Sequence, residues 1–491
     1  MSGTSSKEAG KEEFTSRWGI LMTAIGMAVG TGNIWRFPRV AAENGGAAFL
    51  IPWVIFLFAW AIPLLLAEFA LGKTTRRGPA GAIGSLVGEG YNWLGVFIGL
   101  VTCFITFYYS VVTGWCLKYF IASFGTLFSL EQTAESYWTG FTTDPIQPVA
   151  FHAAALVIGC LIIYRGVVRG IERTNRILIP LLFILLIIAA IRAITLPGAS
   201  KGLSYLFSPN WSDLRNYQVW LAALTQAAWS TGAGWGLVTT YGIYLRKKDT
   251  FALTTFTTAF GNNSASLLAG IAVICTVFAI LPEAQARAAL GAGNEGLTFI
   301  WMPQLFAGMP GGRLFLPIFF LALSSAAISS LIAMLEMASR MLMDMGLPRR
   351  KAVPVVGALS FVLGLPSAWH MGFLKNQDWV WGIGLMVSGL FVALAVIKYG
   401  AARFRDELIN TKEEKHPIGM WFVWVISILV PLEFLAMIGW WFYQSATQFD
   451  PEGWWKLRSE ISVGTAVIQI TLLAVVLLLT NKYWVKRLEK D

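Results

Sequence analysis

The sequence is poor in charge. Only 13% of its 491 residues are Asp, Glu, Lys or Arg, whereas soluble proteins carry about a quarter. So few charges cannot cover the surface of an ordinary globular enzyme, and they also exclude a disordered protein. A nucleic-acid-binding module is excluded too, so no nucleic-acid partner is expected.

Residues that build metal centres and covalent catalysts are also scarce. The three histidines, His152, His370 and His416, lie far apart, and no HExxH, P-loop or GxSxG motif occurs in the sequence. The four cysteines lie inside apolar runs without a CxxC spacing, so they are expected to be packing residues. The sequence therefore predicts a protein that is not an enzyme.

Long apolar segments dominate the chain. Hydrophobic residues make up 56% of it, with 48 glycines and 22 tryptophans, and both residue types are enriched in membrane spans and at their interfaces. A helix needs roughly 20 mainly apolar residues to cross a bilayer. About twelve such segments lie near residues 18–43, 47–72, 92–124, 148–164, 173–196, 217–245, 250–282, 313–343, 351–367, 378–399, 418–444 and 462–485. An all-α, multi-pass membrane protein is predicted.

The basic residues indicate how the spans are oriented. They cluster in residues 73–77, 165–176, 246–248, 349–351 and 482–487, all on the side where the amino terminus lies if each segment crosses once. Because basic loops stay in the cytoplasm, both termini are expected there, in a plasma (inner) membrane. Residues 1–13 have no apolar signal core, which agrees with this topology.

The first and sixth spans contain glycine clusters, at residues 26–33 and 230–236. Glycine weakens a helix by about 1 kcal/mol relative to alanine. Each cluster alone also fits a close helix-packing face. Interruptions at corresponding positions of two halves, however, are typical of a transporter binding site.

Five segments resemble the neurotransmitter:sodium symporter family. They are residues 26–38 (GMAVGTGNIWRFP), 42–49 (AENGGAAF), 165–173 (RGVVRGIER), 226–236 and 326–336. The resemblance runs from about Phe14 to the end of the tenth span. It implies sodium-coupled import of a neutral amino acid by alternating access.

The resemblance also implies a division of the chain. A cytoplasmic segment with an inner gate (1–17) precedes an inverted repeat of five plus five spans (18–196 and 217–399), in which spans one and six are interrupted. Two further spans and a tail follow (418–491).

Two sodium sites are implied by the resemblance. The first comprises Ala28, Asn33, Ser230 and Asn262, completed by the substrate carboxylate. The second comprises Gly26, Val29, Ala326, Ser329 and Ser330. Read alone, Ser329 and Ser330 would only bond their own helix backbone.

The implied substrate pocket suits an α-amino acid. Gly30 stands where relatives that carry monoamines have Asp, so the substrate must supply its own carboxylate. Trp229 is larger and Gly232 smaller than the residues usual at these positions, which changes the pocket volume in opposite directions. The expected lining is Ala28, Thr31, Gly32, Ile105, Tyr109, Trp229, Ser230, Gly232, Trp235, Ser330 and Met334.

Charged residues inside the spans match the family's gates. Arg36 and Asp378 correspond to the outer gate, joined through water. Lys11 and Asp344 correspond to the inner gate, with Tyr244 in the same network. Such groups are functional by default, because a charge in a membrane is costly. Glu68 is expected to bind exposed N–H groups of the broken first helix.

A chloride site is also expected. Trp53, Gln226, Ser230, Asn262 and Ser266 reproduce most of the chloride-binding pattern of animal relatives, with Trp53 in place of the usual Tyr. Family members that do not need chloride carry an acidic residue at the position of Ser266.

Two alternatives to this function are retained. Gly232, Ala233 and Gly234 resemble the glycine-spaced sixth span of relatives that carry taurine, GABA or another ω-amino acid. A membrane sensor that binds an amino acid without moving it belongs to a different class, and it would show binding without uptake.

Overall fold

The computed structural model describes residues 12–125, 127 and 133–488, and no β-strand occurs in these ranges. Helix occupies each of the twelve segments expected from the sequence. Within the described ranges, nine helices are by themselves long and apolar enough to cross a membrane, and the bent pair Val463–Leu479 and Asn481–Leu488 makes a tenth. The remaining two segments are broken helices, so the prediction of an all-α membrane protein is confirmed.

The spans are numbered here in chain order. Their helices are Arg17–Ala28 and Phe37–Glu43 (span 1), Ala47–Phe56 and Ile62–Thr75 (span 2), Asn92–Ala122 (span 3), Gln147–Tyr164 (span 4), Arg173–Ile194 (span 5), Tyr217–Ser230 and Leu237–Gly242 (span 6), Ala252–Ile280 (span 7), Gly312–Asp344 (span 8), Arg349–Trp369 (span 9), Met371–Tyr399 (span 10), Trp421–Trp424 and Val430–Gln444 (span 11), and Val463–Leu479 (span 12).

Short helices lie outside or at the ends of the spans. They are Pro79–Val87, Ala134–Thr143, Ala199–Phe207, Glu283–Leu290, Gly293–Glu295, Met302–Gly308, Ala401–Phe404 and Asn481–Leu488. The residues between spans 4 and 5, expected to be a loop, instead include a π-helical turn, Val167–Glu172, that leads directly into span 5.

Prolines account for several wide turns inside the helices. A π-helical turn directly precedes a helix with proline at its second position in four places, at Pro38, Pro63, Pro303 and Pro431. Proline has no N–H and its ring clashes with the carbonyl four residues earlier. The preceding turn therefore widens to the π spacing.

Burial distinguishes inner from outer spans. Of the most apolar stretch of span 8, 83% is buried, and of span 3, 78%, compared with 28% for span 11. Spans 3 and 8 pack against each other, and span 1 packs against spans 5, 7 and 8. The broken spans thus lie inside a bundle whose outer helices face lipid.

Both predicted interruptions are present. In span 1 the helix ends at Ala28, because Val29 adopts an extended backbone with φ −81° and ψ 104°. In span 6 the helix ends at Ser230 and resumes at Leu237, with Gly234 (φ 85°) and Gly236 (φ 75°) in the left-handed region that favours glycine.

The last span differs from the prediction. A single helix was expected over residues 462–485, but the chain bends by 62° after Leu479. The side chain of Asn481 accepts a hydrogen bond from the Trp93 N–H at 2.9 Å and donates to the Glu89 carbonyl at 3.1 Å. These bonds tie the start of Asn481–Leu488 to the start of span 3.

Candidate functional site

A cavity lies at the two helix breaks, and the space within it, including the part open to solvent, is about 910 Å³. All eleven residues expected to contact substrate line it: Ala28, Thr31, Gly32, Ile105, Tyr109, Trp229, Ser230, Gly232, Trp235, Ser330 and Met334. The structure therefore brings together residues from spans 1, 3, 6 and 8. That they bind substrate stays a prediction.

One end of the cavity is polar and is formed by the break of span 1. The Thr31 N–H donates to the Tyr109 hydroxyl at 3.2 Å. Gly32 faces open space, since a Cβ built there would meet no atom within 4 Å. A Cβ on Gly30 would lie 2.8 Å from Ser330 Oγ, so an Asp at this position would displace its neighbours.

The other end is apolar. The Trp229 and Trp235 rings meet edge to face with centroids 6.1 Å apart. The sequence left the volume of this end open, and two unforeseen contacts now define it. A Cβ on Gly232 would lie 2.5 Å from Met27 Sδ, so Met27 fills the space that the glycine leaves. A Cβ on Gly382 would lie 2.3 Å from Trp229 Cζ2, so the large ring lies against a glycine of span 10.

The residues expected at the first sodium site form one cluster. Asn33 Oδ1 accepts from the Gly30 N–H at 2.9 Å, and Asn33 Nδ2 donates to Asn262 Oδ1 at 2.7 Å. The Asn262 atom that accepts this bond lies 3.1 Å from the Ala28 carbonyl oxygen and 2.8 Å from the Ser230 carbonyl oxygen. Asn262 Nδ2 donates to Ser230 Oγ at 2.9 Å.

The orientation of the Asn262 amide decides what this cluster can bind. Turned over, its nitrogen would donate to both carbonyls, but it would then face the Asn33 Nδ2 donor at 2.7 Å. Because the Gly30 N–H fixes the orientation of Asn33, the oxygen of Asn262 must face Asn33. Three oxygens, from Ala28, Ser230 and Asn262, then converge without a hydrogen between them.

Four of the five residues expected at the second sodium site also meet: Val29, Ala326, Ser329 and Ser330. Ser329 Oγ lies 2.9 Å from the Ala326 carbonyl oxygen and 3.4 Å from that of Val29, and Ser330 Oγ lies 3.3 Å from the same Val29 oxygen. Gly26 is one turn earlier in span 1, where a Cβ would lie 2.6 Å from Asn175 Oδ1. The oxygens of the break thus face span 8. Across the described residues, no group of three or more His, Cys, Asp or Glu could hold a metal ion, so these clusters consist of neutral oxygens.

Of the residues expected to bind chloride, Gln226 and Ser230 line the cavity, and Asn262 and Ser266 are fully buried. Ser266 Oγ accepts from Asn33 Nδ2 at 2.8 Å, which joins it to the first cluster. Trp53 Nε1 and both amide atoms of Gln226 are buried without a hydrogen-bond partner. Trp53 packs with Ala223 and Ala227, which flank Gln226 on span 6.

The outer gate residues line the upper part of the cavity. Arg36 lies over the Trp229 ring, 5.1 Å from its centroid. Arg36 and Asp378 border both the cavity and a vestibule of about 1910 Å³ that adjoins it. In the part of the chain that the structure describes, the two side chains make no direct ion pair.

The inner gate residues belong to two clusters rather than one. Lys11 lies outside the described residues. Asp344 pairs with Arg340 at 2.7 Å and accepts from the Gly78 N–H at 2.7 Å. Tyr244, expected in the same network, donates instead to Glu336 at 2.5 Å.

Sequence reasoning missed the partner of Glu336. Its carboxylate is fully buried and pairs with Arg349 at 2.6 Å, and Arg349 also pairs with Glu12 at 2.9 Å. The Phe14 ring packs edge to face on Tyr244. A charged cluster and an aromatic contact therefore join spans 6, 8 and 9 to the amino-terminal segment.

The prediction for Glu68 is wrong. Its carboxylate accepts from the Gly236 N–H at 2.9 Å and the Val238 N–H at 3.2 Å, which belong to span 6 and not to span 1. The reason is packing: a Cβ on Gly72 would lie 1.9 Å from the Thr239 carbonyl oxygen, so span 2 lies directly against the second helix of span 6.

The chain is similar to known proteins over most of its length. A family model described as "Sodium:neurotransmitter symporter family" matches residues 11–150 and 149–485. An uncharacterized sodium-dependent transporter from Methanocaldococcus jannaschii is 31% identical over 447 residues, covering 87% of this chain and 90% of that one. A sodium- and chloride-dependent GABA transporter from Drosophila melanogaster is 28% identical over 416 residues, covering 75% of this chain and 44% of that one.

A solved structure is similar over most of its length. The crystal structure of MhsT in complex with L-phenylalanine superimposes with a TM-score of 0.76 at 30% sequence identity, covering 87% of this chain and 99% of that one.

Proposed function

This chain belongs to the sodium:neurotransmitter symporter family, and we propose that it imports a neutral amino acid together with sodium by alternating access. It is a multi-pass membrane protein and a sodium-dependent transporter. The proposal concerns its substrate, its ion sites and its direction.

One observation carries the proposal: the polar end of the cavity adjoins the three converging oxygens of Ala28, Ser230 and Asn262. Oxygens that face each other without a donor repel unless a cation lies between them, and hard cations prefer such ligands. A substrate carboxylate at Gly32 and Tyr109 would complete the shell. Ion and amino acid then each complete the other's site, which couples their transport.

The second sodium site is proposed at the break of span 1, where the Val29 carbonyl faces Ala326, Ser329 and Ser330 of span 8. A cation there would join a broken helix to an unbroken one. Each positive charge that enters the cell releases about 2.3 kcal/mol of free energy per 100 mV of membrane potential. Two sodium ions therefore supply roughly 4–5 kcal/mol, which is over a thousandfold accumulation.

The apolar end of the cavity supports a neutral substrate with an apolar side chain. Trp229, Trp235, Ile105 and Met334 offer no charge to a substrate side chain, and the MhsT structure holds L-phenylalanine. The GABA transporters among the relatives keep an ω-amino acid as the alternative.

Chloride is proposed as a further ion. Gln226 Nε2 and Trp53 Nε1 are buried donors without partners, and unpaired buried donors are costly. An anion held by them, by Ser266 and by Ser230 and Asn262 would offset the positive charge of the two sodium ions.

The proposed setting is a plasma (inner) membrane with both termini in the cytoplasm and four parts to the chain: residues 1–17, 18–196, 217–399 and 418–491. The two charged clusters near Tyr244 and Asp344 would close the cytoplasmic side while the cavity is open outward.

Uptake by reconstituted vesicles tests the proposal. Purified protein in liposomes should accumulate labelled phenylalanine or leucine when sodium is outside, and not when potassium replaces sodium. Competition by the twenty amino acids, taurine and GABA identifies the substrate class. Saturable sodium-dependent binding without any uptake would instead favour the sensor, and equal uptake in potassium would refute sodium coupling.

A further inference from the structure

Glu433 is a buried carboxyl group that no part of the proposed transport site uses. It lies about halfway along span 11, is 5% exposed, and both of its carboxyl oxygens lack a hydrogen-bond partner. Most of span 11 faces outward, but Glu433 belongs to its one buried stripe, which comprises Val430, Glu433, Met437, Trp440 and Trp441. The carboxyl group therefore points into the protein.

No charge compensates this group. The helix that carries it packs against span 10, the first helix of span 6 and the π turn Leu57–Ala61 of span 2. The π turn has no titratable residue, and among the described residues Glu433 has no hydrogen-bond or ion-pair partner. The titratable residues of the other packed elements lie toward helix ends: Lys375, Asp378, Lys398 and Tyr399 on span 10, Tyr217 on span 6, and Tyr443 on span 11 itself.

An isolated carboxylate in such a place is very costly, and a buried acid without a partner takes up a proton instead. Ionisable groups inside the bilayer are rare, and those that persist commonly mark ion or proton pathways. Packing alone would be served as well by a leucine. The position thus points to a group that exchanges a proton.

Glu433 lies one helix away from the break of span 6. The Trp379 and Trp441 rings are 5.8 Å apart, which sets the register of spans 10 and 11. At about 1.5 Å per residue along two antiparallel helices, Glu433 is level with residues 387–389. A Cβ on Gly234 would lie 2.7 Å from the Gly389 Cα, so this turn of span 10 contacts the break.

The extracellular vestibule provides a route for the proton. Trp440 and Trp441 line it. They lie seven and eight residues beyond Glu433 on the same stripe, which is about 10–12 Å along the helix. A small separation of spans 10 and 11 would bring vestibule water to the carboxyl group.

We propose that Glu433 is a proton-binding site whose occupancy is coupled to the packing of span 10 against the span 6 break. The proton is held when spans 10 and 11 pack as they do here, and it is released to vestibule water when they separate. This inference rests on the proposed function in one respect: substrate binding is used to measure how span 10 packs against the span 6 break. Deprotonation leaves a buried charge, so alkaline pH weakens sodium-dependent binding, by up to about tenfold per pH unit above the titration point.

Infrared spectroscopy and binding on the full-length protein in nanodiscs test this site. The wild type should show a protonated-carboxyl C=O band, lost on raising the pH, that is absent from Glu433→Gln. Binding of labelled amino acid in sodium should fall with pH in the wild type and stay constant over that range in Glu433→Gln. Glu452→Gln, at an exposed acid outside the spans, should behave as the wild type.

Each outcome decides the question. Identical bands and identical pH profiles in the wild type and Glu433→Gln would overturn the proposal. Should Glu433→Gln fail to fold, Glu433→Asp replaces it: a shifted midpoint of the pH profile supports the site, and an unchanged midpoint overturns it. The infrared band needs no transport, so a titrating carboxyl in a protein that takes up no amino acid would leave this site intact and refute the symport proposal instead.

Discussion

Replacing Glu68 with glutamine should weaken substrate binding, although Glu68 itself does not contact the substrate. In an unbroken helix the Gly236 and Val238 N–H groups would donate to carbonyls four residues earlier, but here they donate to Glu68 at 2.9 and 3.2 Å. In Glu68→Gln the amide oxygen can accept only one of these bonds, and the amide nitrogen faces the other donor. A buried donor left without an acceptor costs about 1–3 kcal/mol.

This cost falls on the broken form of span 6, because a continuous helix would satisfy the same two N–H groups itself. If binding needs the break, the apparent affinity falls by the same free energy, which is about 5- to 150-fold. Binding of labelled amino acid to purified protein at saturating sodium measures it. Glu89→Gln, at an exposed acid, should bind as the wild type does.

Two results would refute this reasoning. If Glu68→Gln is as stable as the wild type to heat and binds with unchanged affinity, the two hydrogen bonds do not hold the break. If the variant loses affinity only in proportion to a loss of folded protein on size-exclusion chromatography, the effect is on folding rather than on the break.

Three further predictions follow from the same site. Gly30→Ala should reduce sodium-dependent binding, because its Cβ would lie 2.8 Å from Ser330 Oγ and overpacking costs about 1–3 kcal/mol; a sodium titration of binding measures this. Arg349→Gln removes the ion-pair partner of the buried Glu336, which costs about 3–5 kcal/mol. Hydrogen exchange in residues 12–28, measured by mass spectrometry, should therefore increase. Ser266→Glu should make binding insensitive to replacing chloride with gluconate, because a fixed negative charge takes the anion's place.

Matched variants control the first two of these. Gly140→Ala adds a Cβ that meets nothing within 4 Å and should leave binding unchanged. Arg287→Gln removes an ion pair whose side chains are 60% and 69% exposed, and surface pairs contribute little. If Arg287→Gln loosens residues 12–28 as much as Arg349→Gln does, the buried cluster has no special role. If wild-type binding does not change when gluconate replaces chloride, the prediction for Ser266→Glu has no basis.

The sequence predicted those features that depend on local chemistry. The glycine clusters predicted both breaks, because glycine disfavours a helix wherever it lies. The apolar runs predicted twelve spans, because a bilayer requires a minimum length of apolar helix. The residues of the cavity wall followed from segments that resemble one family, and the structure brings all eleven together.

Features that depend on which helices touch were not predictable in this way. Tyr244, Glu336 and Arg349 come from spans 6, 8 and 9, and nothing in their spacing indicates that they meet. Glu68 binds span 6 because Gly72 lets span 2 approach it closely. The volume near Trp229 depends on Gly382, a residue more than 150 positions away that no local pattern connects to it.

The contacts of span 2 suggest how the two halves of span 6 move apart. The first helix of span 6 packs on Ala47–Phe56, and Trp53, Ala223 and Ala227 belong to one buried cluster between them. The second helix packs on Ile62–Thr75 and is bonded there to Glu68. Each half of span 6 is therefore attached to a different half of span 2.

Span 2 is also interrupted between the two helices that contact span 6. The π turn Leu57–Ala61 lies between its two helices, just before Pro63, and such turns are frequent where helices bend at functional sites. If span 2 were rigid, a rotation of one half of span 6 against the other would break the close packing between the two spans. If span 2 bends at the π turn, both halves of span 6 keep their contacts with it. Any rotation between the halves of span 6 that keeps both contacts would therefore require span 2 to bend at the π turn just before Pro63.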